Sequence, residues 1–185
     1  MDRNKIYIRV ATEEDLEEIE LVMKHSMQTL GAHYYSDKQV ASCCRYVCVP
    51  EKQLIKDKTF FVTCLHKTII GCGGWSFRKT LYAGPSTPSE EAAILDPKVD
   101  PARIRAMFIH PDYNGKGLGS LILSRSEKEA TEHGFTKGTL GATLSGLQFY
   151  SFKGWQSIAE DNATLPDGVS IRVIRMEKDF LLSKT

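Results

Sequence analysis

A glycine-rich turn carries the residue types that most clearly suggest chemistry: Asn114-Gly115-Lys116-Gly117-Leu118-Gly119-Ser120. It lies between a segment predicted to be a strand and one predicted to be a helix. A turn of this kind directs several backbone N–H groups to one place, and the helix adds the positive end of its dipole there. Glycine also lets a ligand approach the backbone closely. The turn is therefore predicted to bind a phosphate or a pyrophosphate.

Two common nucleotide-binding motifs do not fit this turn. The P-loop requires G-x-x-x-x-G-K-[ST], but His110 stands where its first glycine belongs and Gly117 follows the lysine. The dinucleotide motif G-x-G-x-x-G fails because Ile122 occupies the third glycine position. The other glycine-rich stretch, residues 71–74, lies inside a strand pattern and opens no helix. A nucleotide-binding regulatory module therefore remains only as a weaker alternative.

The elements that must position the turn follow from hydrophobic periodicity and capping signals. Helices are predicted from Thr12, from Ser36, over 118–133 and from a capping box at Ser145 and Gln148. The order is β-α-α-β-β-β-α-β-α-β-β, and the strand–helix–strand unit around the turn should be parallel. The predicted fold is α/β (α+β): a mixed, mostly antiparallel twisted sheet with a central parallel strand pair and helices on both faces. Strands are predicted over 5–10, 59–65, 69–77, 103–109, 139–144, 155–158 and 169–176.

Composition favours one globular domain over residues 1–185, with its core at about 6–180. The chain has 185 residues and a formal net charge of +1, so no global field favours nucleic acid or a membrane surface. No secretory signal and no apolar run of about 18 residues is apparent, which predicts a cytoplasmic protein. No metal site is expected, because the five cysteines form no C-x-x-C pair and are interpreted as reduced, mostly buried thiols: Cys43, Cys44, Cys48, Cys64 and Cys72.

Two motifs resemble those of the Gcn5-related N-acetyltransferase (GNAT) superfamily. Residues 114–119 are similar to its acyl-CoA pyrophosphate loop, Q/R-x-x-G-x-G/A, with Asn114 where glutamine or arginine is usual. Residues 147–155 resemble its next motif, Tyr-x-x-x-Gly-Phe, with Trp155 in place of the phenylalanine. The order of elements also matches, so the resemblance covers nearly the whole chain.

The resemblance implies an N-acetyltransferase that uses acetyl-CoA as co-substrate and no metal. The amine would attack the thioester directly in a ternary complex, without a covalent enzyme intermediate. Tyr150 would protonate the departing CoA thiolate. Backbone groups of Phe108 and Ile109 would bind the pantetheine arm, and an N–H near Phe108 would polarise the thioester carbonyl. The pyrophosphate would be held by Asn114 and by backbone N–H groups of Gly115, Lys116, Gly117, Leu118, Gly119 and Ser120.

The resemblance does not identify a general base. Many members carry a glutamate on the strand where this chain has Arg103, Arg105 and Ala106. A non-catalytic acyl-CoA-binding sensor of the same fold therefore remains an alternative. The candidates for a base are water and four side chains: Glu90, Glu91, Asp96 and His110.

The acceptor is expected to be a small-molecule or peptide amine, with no nucleic acid and no membrane as partner. Homodimerisation through the C-terminal strands is common in the superfamily. The segment 80–100 is predicted to be a long loop, either functional or merely an insertion. The acceptor side is predicted to be lined by this loop and by aromatic residues: Trp75, Phe77, Tyr82, Tyr34 and Tyr35.

Overall fold

A twisted sheet of seven strands forms the centre of the computed structural model, which describes residues 6–79 and 93–180. The strand order is β1-β2-β3-β4-β5-β7-β6. Only β4 and β5 pair in parallel among these strands, and the other neighbours are antiparallel. The predicted fold class is therefore confirmed. The strands are β1 (Ile6–Val10), β2 (Phe60–Leu65), β3 (Thr68–Ser76), β4 (Ala102–Ile109), β5 (Lys137–Thr143), β6 (Gln156–Thr164) and β7 (Ser170–Asp179).

Helices cover both faces of the sheet. One core cluster packs α1 and α2 against the side of β2 that carries Phe60 and Val62. The second packs α4 and α5 against the opposite side, where Phe61 points. This alternation along β2 is the period of two expected for a strand buried on both faces. The helices are α1 (Leu16–Thr29), α2 (Asp37–Tyr46), α3 (Lys52–Lys56), α4 (Leu118–Glu132) and α5 (Leu147–Phe152).

The capping box predicted at α2 is confirmed, whereas the one predicted at α5 is wrong. At α2, the Ser36 hydroxyl accepts the Gln39 N–H and the Gln39 side chain accepts the Ser36 N–H, as predicted. At α5 the predicted capping box is wrong, because the helix begins at Leu147 with Gly146 as its cap and no side-chain capping bond. The Ser145 hydroxyl instead lies 3.0 Å from the hydroxyl of Thr143. The short helix α3 was not predicted.

Helix α4 is anchored by the indole of Trp155. Glu127 on α4 accepts a hydrogen bond from Trp155 Nε1 at 2.9 Å and forms an ion pair with Lys178 Nζ at 2.8 Å. Trp75 Nε1 donates to Glu129 on the same helix at 3.4 Å. These bonds fix α4 against β7 and β3, and the start of α4 forms part of the glycine-rich turn. The position of that turn is therefore set by partners far from it in sequence.

All five cysteines are free thiols, and four of them are buried. Burial raises the pKa of Cys43 to about 11 and that of Cys72 to about 12. The expectation of reduced, mostly buried thiols is thus confirmed. No helix within the described ranges is long and apolar enough to cross a membrane.

An ion pair at the first helix predicts sensitivity to acid. Arg9 contacts both carboxylate oxygens of Asp15, at 2.6 and 2.7 Å, and Asp15 also accepts the Thr12 N–H. The Arg9 guanidinium lowers the pKa of Asp15 from 3.8 to about 2. We expect Asp15→Asn to lower the free energy of unfolding by about 1–2 kcal/mol at neutral pH, a value reduced for the partial exposure of Arg9.

The sign of the pH dependence follows from the direction of that shift. A carboxyl whose pKa is lowered on folding stabilises the protein above its unfolded value of 3.8, and the contribution disappears as pH falls toward 2. Urea unfolding should therefore show a clearly larger difference between wild type and Asp15→Asn at pH 7 than at pH 2.5. The exposed Asp179, exchanged for asparagine, is the control. An equal difference at both pH values would contradict the assignment to charge.

Candidate active site

A cleft opens where the two parallel strands separate. Strands β4 and β5 pair only at Ala102–Gly138 and Arg103–Thr139, near their starts, and the ladder does not continue toward their ends. The resulting cleft has a volume of about 930 Å³. Residues from α1, β4, the glycine-rich turn, α5 and β7 line it. The strand divergence therefore creates space for an elongated ligand in the middle of the sheet.

Strand β4 is distorted at the cleft. Ala106 has a φ of +50°, and the register with β3 shifts between Cys72 and Gly74. A bulge of this kind bends the strand and reorients its backbone groups. A positive φ at a non-glycine residue costs of order 1–3 kcal/mol. Ala106 lines the cleft, so the strained backbone lies where a ligand would be held.

The antiparallel ladder shows which backbone groups of β4 face the cleft. The His110 N–H donates to the Ile70 carbonyl, and Phe108 pairs with Cys72 two residues earlier. Because the direction of bonding alternates, the N–H of Phe108 points to β3, whereas those of Met107 and Ile109 point toward β5. Phe108 lines the cleft, but its N–H is directed away from the side where sequence reasoning placed its role.

The glycine-rich turn forms one end of the cleft. Gly115 and Gly117 have φ values of +72° and +89°, and a Cβ at either would meet no atom within 4 Å. The first bond of α4 runs from the Leu121 N–H to the Gly117 carbonyl, which leaves the preceding N–H groups without intrahelical acceptors. The site therefore has the open space and the donors that a pyrophosphate requires. Of the predicted residues, Asn114, Gly115, Gly117, Leu118, Gly119 and Ser120 line the cleft, together with Phe108 and Ile109.

Two polar side chains of the turn are engaged locally. Asn114 Oδ1 accepts the N–H of Gly115 at 3.0 Å. Lys116 Nζ donates to the carbonyl of Asp112 at 2.5 Å and lies 4.8 Å from the centre of the Tyr113 ring. Lys116 is exposed and is not among the residues that line the cleft. In this arrangement the turn presents its backbone, rather than its side chains, to a ligand.

Tyr150 extends into the same cleft from α5. Its residue is 8% exposed, and its ring makes edge contacts with Phe149 and Trp155 at centroid distances of 5.1 and 6.2 Å. Burial raises the pKa of its phenol above the ordinary value. Its hydroxyl makes no hydrogen bond to any residue in 6–79 or 93–180. Tyr150 therefore lines the cleft with a phenol that stays protonated.

A carboxylate that sequence reasoning missed lies in the cleft. Glu51, in the connection between α2 and α3, forms an ion pair of 2.5 Å with Arg105 Nη2 on β4. Arg105 is buried, with its side chain 5% exposed, whereas the Glu51 side chain is 26% exposed and lines the cleft. The cleft therefore contains a carboxylate, although β4 itself carries none. No local sequence pattern identifies Glu51 as a site residue. It follows Pro50, and the only prediction made for this segment was that the preceding helix ends there.

The other candidate bases have different positions. Asp96 accepts backbone N–H groups in its own turn and does not line the cleft. His110 lies 3.2 Å from the ring nitrogen of His25 and accepts the Asp112 N–H, also outside the cleft lining. Glu90 and Glu91 lie outside the described residues. The predicted loop over 80–100 is described only from residue 93.

Of the aromatic residues predicted to line the acceptor side, some lie in the cleft and others do not. Tyr34 is exposed and lines the cleft beside His33. Trp75 is fully buried, and neither it nor Phe77 lines the cleft. Tyr82 lies outside the described residues.

Tyr35 has a structural position instead. It is buried, its hydroxyl donates to the Arg172 carbonyl at 2.8 Å, and it accepts the Leu144 N–H at 2.9 Å. These bonds tie the end of β5 to β7 beside the cleft. Tyr35→Phe would leave both backbone groups unpaired, so we expect the free energy of unfolding to fall by about 1–3 kcal/mol. Urea denaturation tests this, with Tyr7→Phe at a half-exposed site as control, and equal stability of the two variants would contradict it.

Comparison with known proteins agrees with this geometry. The model of the Acetyltransferase (GNAT) family matches residues 11–152, which is more than half of the chain. The chain therefore belongs to the GNAT acetyltransferase family. A comparison with curated proteins found no match.

Solved structures share the fold over almost the whole chain. A GCN5-related N-acetyltransferase from Rhodopseudomonas palustris has a TM-score of 0.71 at 17% identity, covering 97% of this chain and 98% of its own. PaiA N-acetyltransferase from Thermoplasma acidophilum, in complex with coenzyme A, has a TM-score of 0.66 at 20% identity, covering 95% and 99%. YncA, a putative acetyltransferase from Salmonella typhimurium with its cofactor acetyl-CoA, has a TM-score of 0.61 at 16% identity, covering 98% of both chains.

Proposed function

We propose that the chain is an acetyl-CoA-dependent N-acetyltransferase that moves the acetyl group directly to an amine in a ternary complex. The observation that carries this proposal is the single cleft that joins the glycine-rich turn, the bulge at Ala106 and the side chains of Tyr150 and Glu51. The turn can hold a pyrophosphate, and the open edge of β4 can bond an extended pantetheine chain. The proposal places the thioester beside Ala106, between Tyr150 and Glu51.

Donor positioning comes from backbone groups. The N–H groups at the start of α4 bind the pyrophosphate, and the helix dipole adds to this attraction. The N–H and C=O groups of Met107 and Ile109 bond the pantetheine amides in the manner of a missing strand. An N–H of this edge also stabilises the negative charge that develops on the thioester oxygen.

Two side chains move protons in opposite directions. As the amine nitrogen bonds to the thioester carbon, it becomes more acidic, and Glu51 accepts its proton. The carbon–sulfur bond then breaks, and Tyr150 donates its phenolic proton to the departing thiolate. Arg105 positions Glu51 by holding one carboxylate oxygen. The products are an N-acetylated amine and the free thiol of CoA, and exchange with solvent restores both side chains.

The acceptor is proposed to be a small-molecule or peptide amine. Met27, Leu30 and Val47 contribute apolar surface to the cleft. Glu51 and Arg105 add charges of opposite sign. This surface supports an amine acceptor more than a polyanion such as nucleic acid. A cytoplasmic location and a homodimer are compatible with this role and remain predictions.

Calorimetric titration with acetyl-CoA, with ATP and NAD as controls, is the first test. We expect micromolar binding of acetyl-CoA alone, followed by release of thiol when amines are screened as acceptors. Binding without thiol release for any amine would favour the non-catalytic sensor. No binding of acetyl-CoA would overturn the proposal, and binding of ATP or NAD instead would restore the nucleotide-binding alternative.

A further inference from the structure

The most exposed large apolar side chain among the described residues lies at the rim of the cleft. Phe152, the last residue of α5, is 84% exposed and lines the cleft. The ammonium group of Lys153 lies 5.7 Å from the centre of its ring, in cation–π contact with it. At this exposure, much of the ring remains available to another planar group. An exposed phenylalanine in a binding cleft is suited to stacking.

Its distance from the glycine-rich turn follows from the geometry of α5. Phe149 packs on the start of α4, where a Cβ at Gly119 would lie 3.3 Å from its ring. Phe152 follows three residues later, so the helix carries it about 4.5 Å further along the axis. It therefore lies roughly one helical turn from the residue that packs on the start of α4.

The direction of the ligand follows from exposure along the same helix. Tyr150 is 8% exposed and Phe152 is 84% exposed, so Phe152 is the lining residue nearer to solvent. A thioester held beside Tyr150 places the nucleoside end of its carrier outside. The group that continues beyond the pyrophosphate is an adenosine, whose base has flat faces.

We propose that Phe152 is a stacking platform for the adenine of the donor, and that it makes the site selective for free acyl-CoA. A phosphopantetheine attached to a carrier protein has no adenosine and gains nothing from this ring. The proposal rests on the proposed function, because it assumes that the turn holds the pyrophosphate of acetyl-CoA.

The test compares two ligands and four proteins by calorimetry. CoA carries the adenosine, and 4′-phosphopantetheine lacks it. Stacking of a base on an aromatic ring corresponds to roughly a 5- to 150-fold change in affinity on alanine substitution. We expect Phe152→Ala to lose CoA affinity within that range and to bind 4′-phosphopantetheine within about twofold of wild type. Phe152→Trp should retain CoA binding.

The informative quantity is the effect of the variant on the ratio of the two affinities. The two ligands also differ in their phosphates, which contributes to the difference between their affinities for the wild type. The same contribution is present in the variant, so it cancels in the ratio. Ile158→Ala, at a half-exposed site outside the cleft, is the control for loss of apolar surface. Equal losses for both ligands, or no loss for CoA, would overturn the role of Phe152 and leave the donor proposal intact. A wild-type protein that binds neither ligand would overturn both.

Discussion

Replacing Tyr150 with phenylalanine is expected to lower kcat by about 10²-fold, the lower end of the usual effect of losing a general acid. The reason is that the thiolate of CoA would leave without a proton donor. The pKa of Tyr150 is raised by burial, so the phenol stays protonated through neutral pH. Thiol release with the amine found in the screen measures kcat, and calorimetry measures CoA affinity, which should not change.

The Tyr150→Phe variant is expected to change catalysis without changing the stability of the fold. The Tyr150 hydroxyl bonds to no residue that the structure describes, so its removal leaves no buried group unpaired. The ring contacts with Phe149 and Trp155 remain. Tyr46→Phe removes a hydroxyl outside the cleft and should leave kcat unchanged. Unchanged turnover in Tyr150→Phe would remove the phenol from the mechanism and leave water as the proton donor.

The fold was predictable because its signals are local. The glycine-rich turn between β4 and α4, the cap at Ser36 and the alternation along the strands each specify an element within a few residues. The wrong prediction of a capping box at α5 also rested on a local signal. Ser145 and Gln148 have the spacing of a capping box, but the Ser145 hydroxyl lies close to that of Thr143 and the helix begins later. A short polar side chain with two available partners cannot be assigned from spacing alone.

The site was predictable where its residues belong to contiguous motifs, namely the glycine-rich turn and Tyr150. The turn is contiguous in sequence, so its residues could be named before the fold was known. Glu51 and Arg105 are far apart in sequence and become neighbours only when the connection between α2 and α3 packs beside β4. Their pairing depends on tertiary contacts that no periodic pattern encodes. The same is true of the bulge at Ala106, whose φ reflects the register with β3 rather than the residue type.

Replacing Glu51 with glutamine is expected to lower kcat by about 10²- to 10³-fold. Glutamine keeps the shape of the side chain and an acceptor for Arg105, but it cannot take a proton from the amine. The apparent KM for acetyl-CoA should not change, because the turn and the edge of β4 hold the donor.

The alternative is that the ion pair between Glu51 and Arg105 has only a structural role. Arg105 is buried, and loss of its partner's charge destabilises a buried pair whether or not the pair has a role in chemistry. Asp57→Asn is the matched control, because Asp57 forms a similarly buried ion pair with Arg78 but lies outside the cleft. Both variants should lower the melting temperature, and only Glu51→Gln should lower kcat. If the two variants keep the same kcat, Glu51 serves Arg105 alone and the amine loses its proton to water.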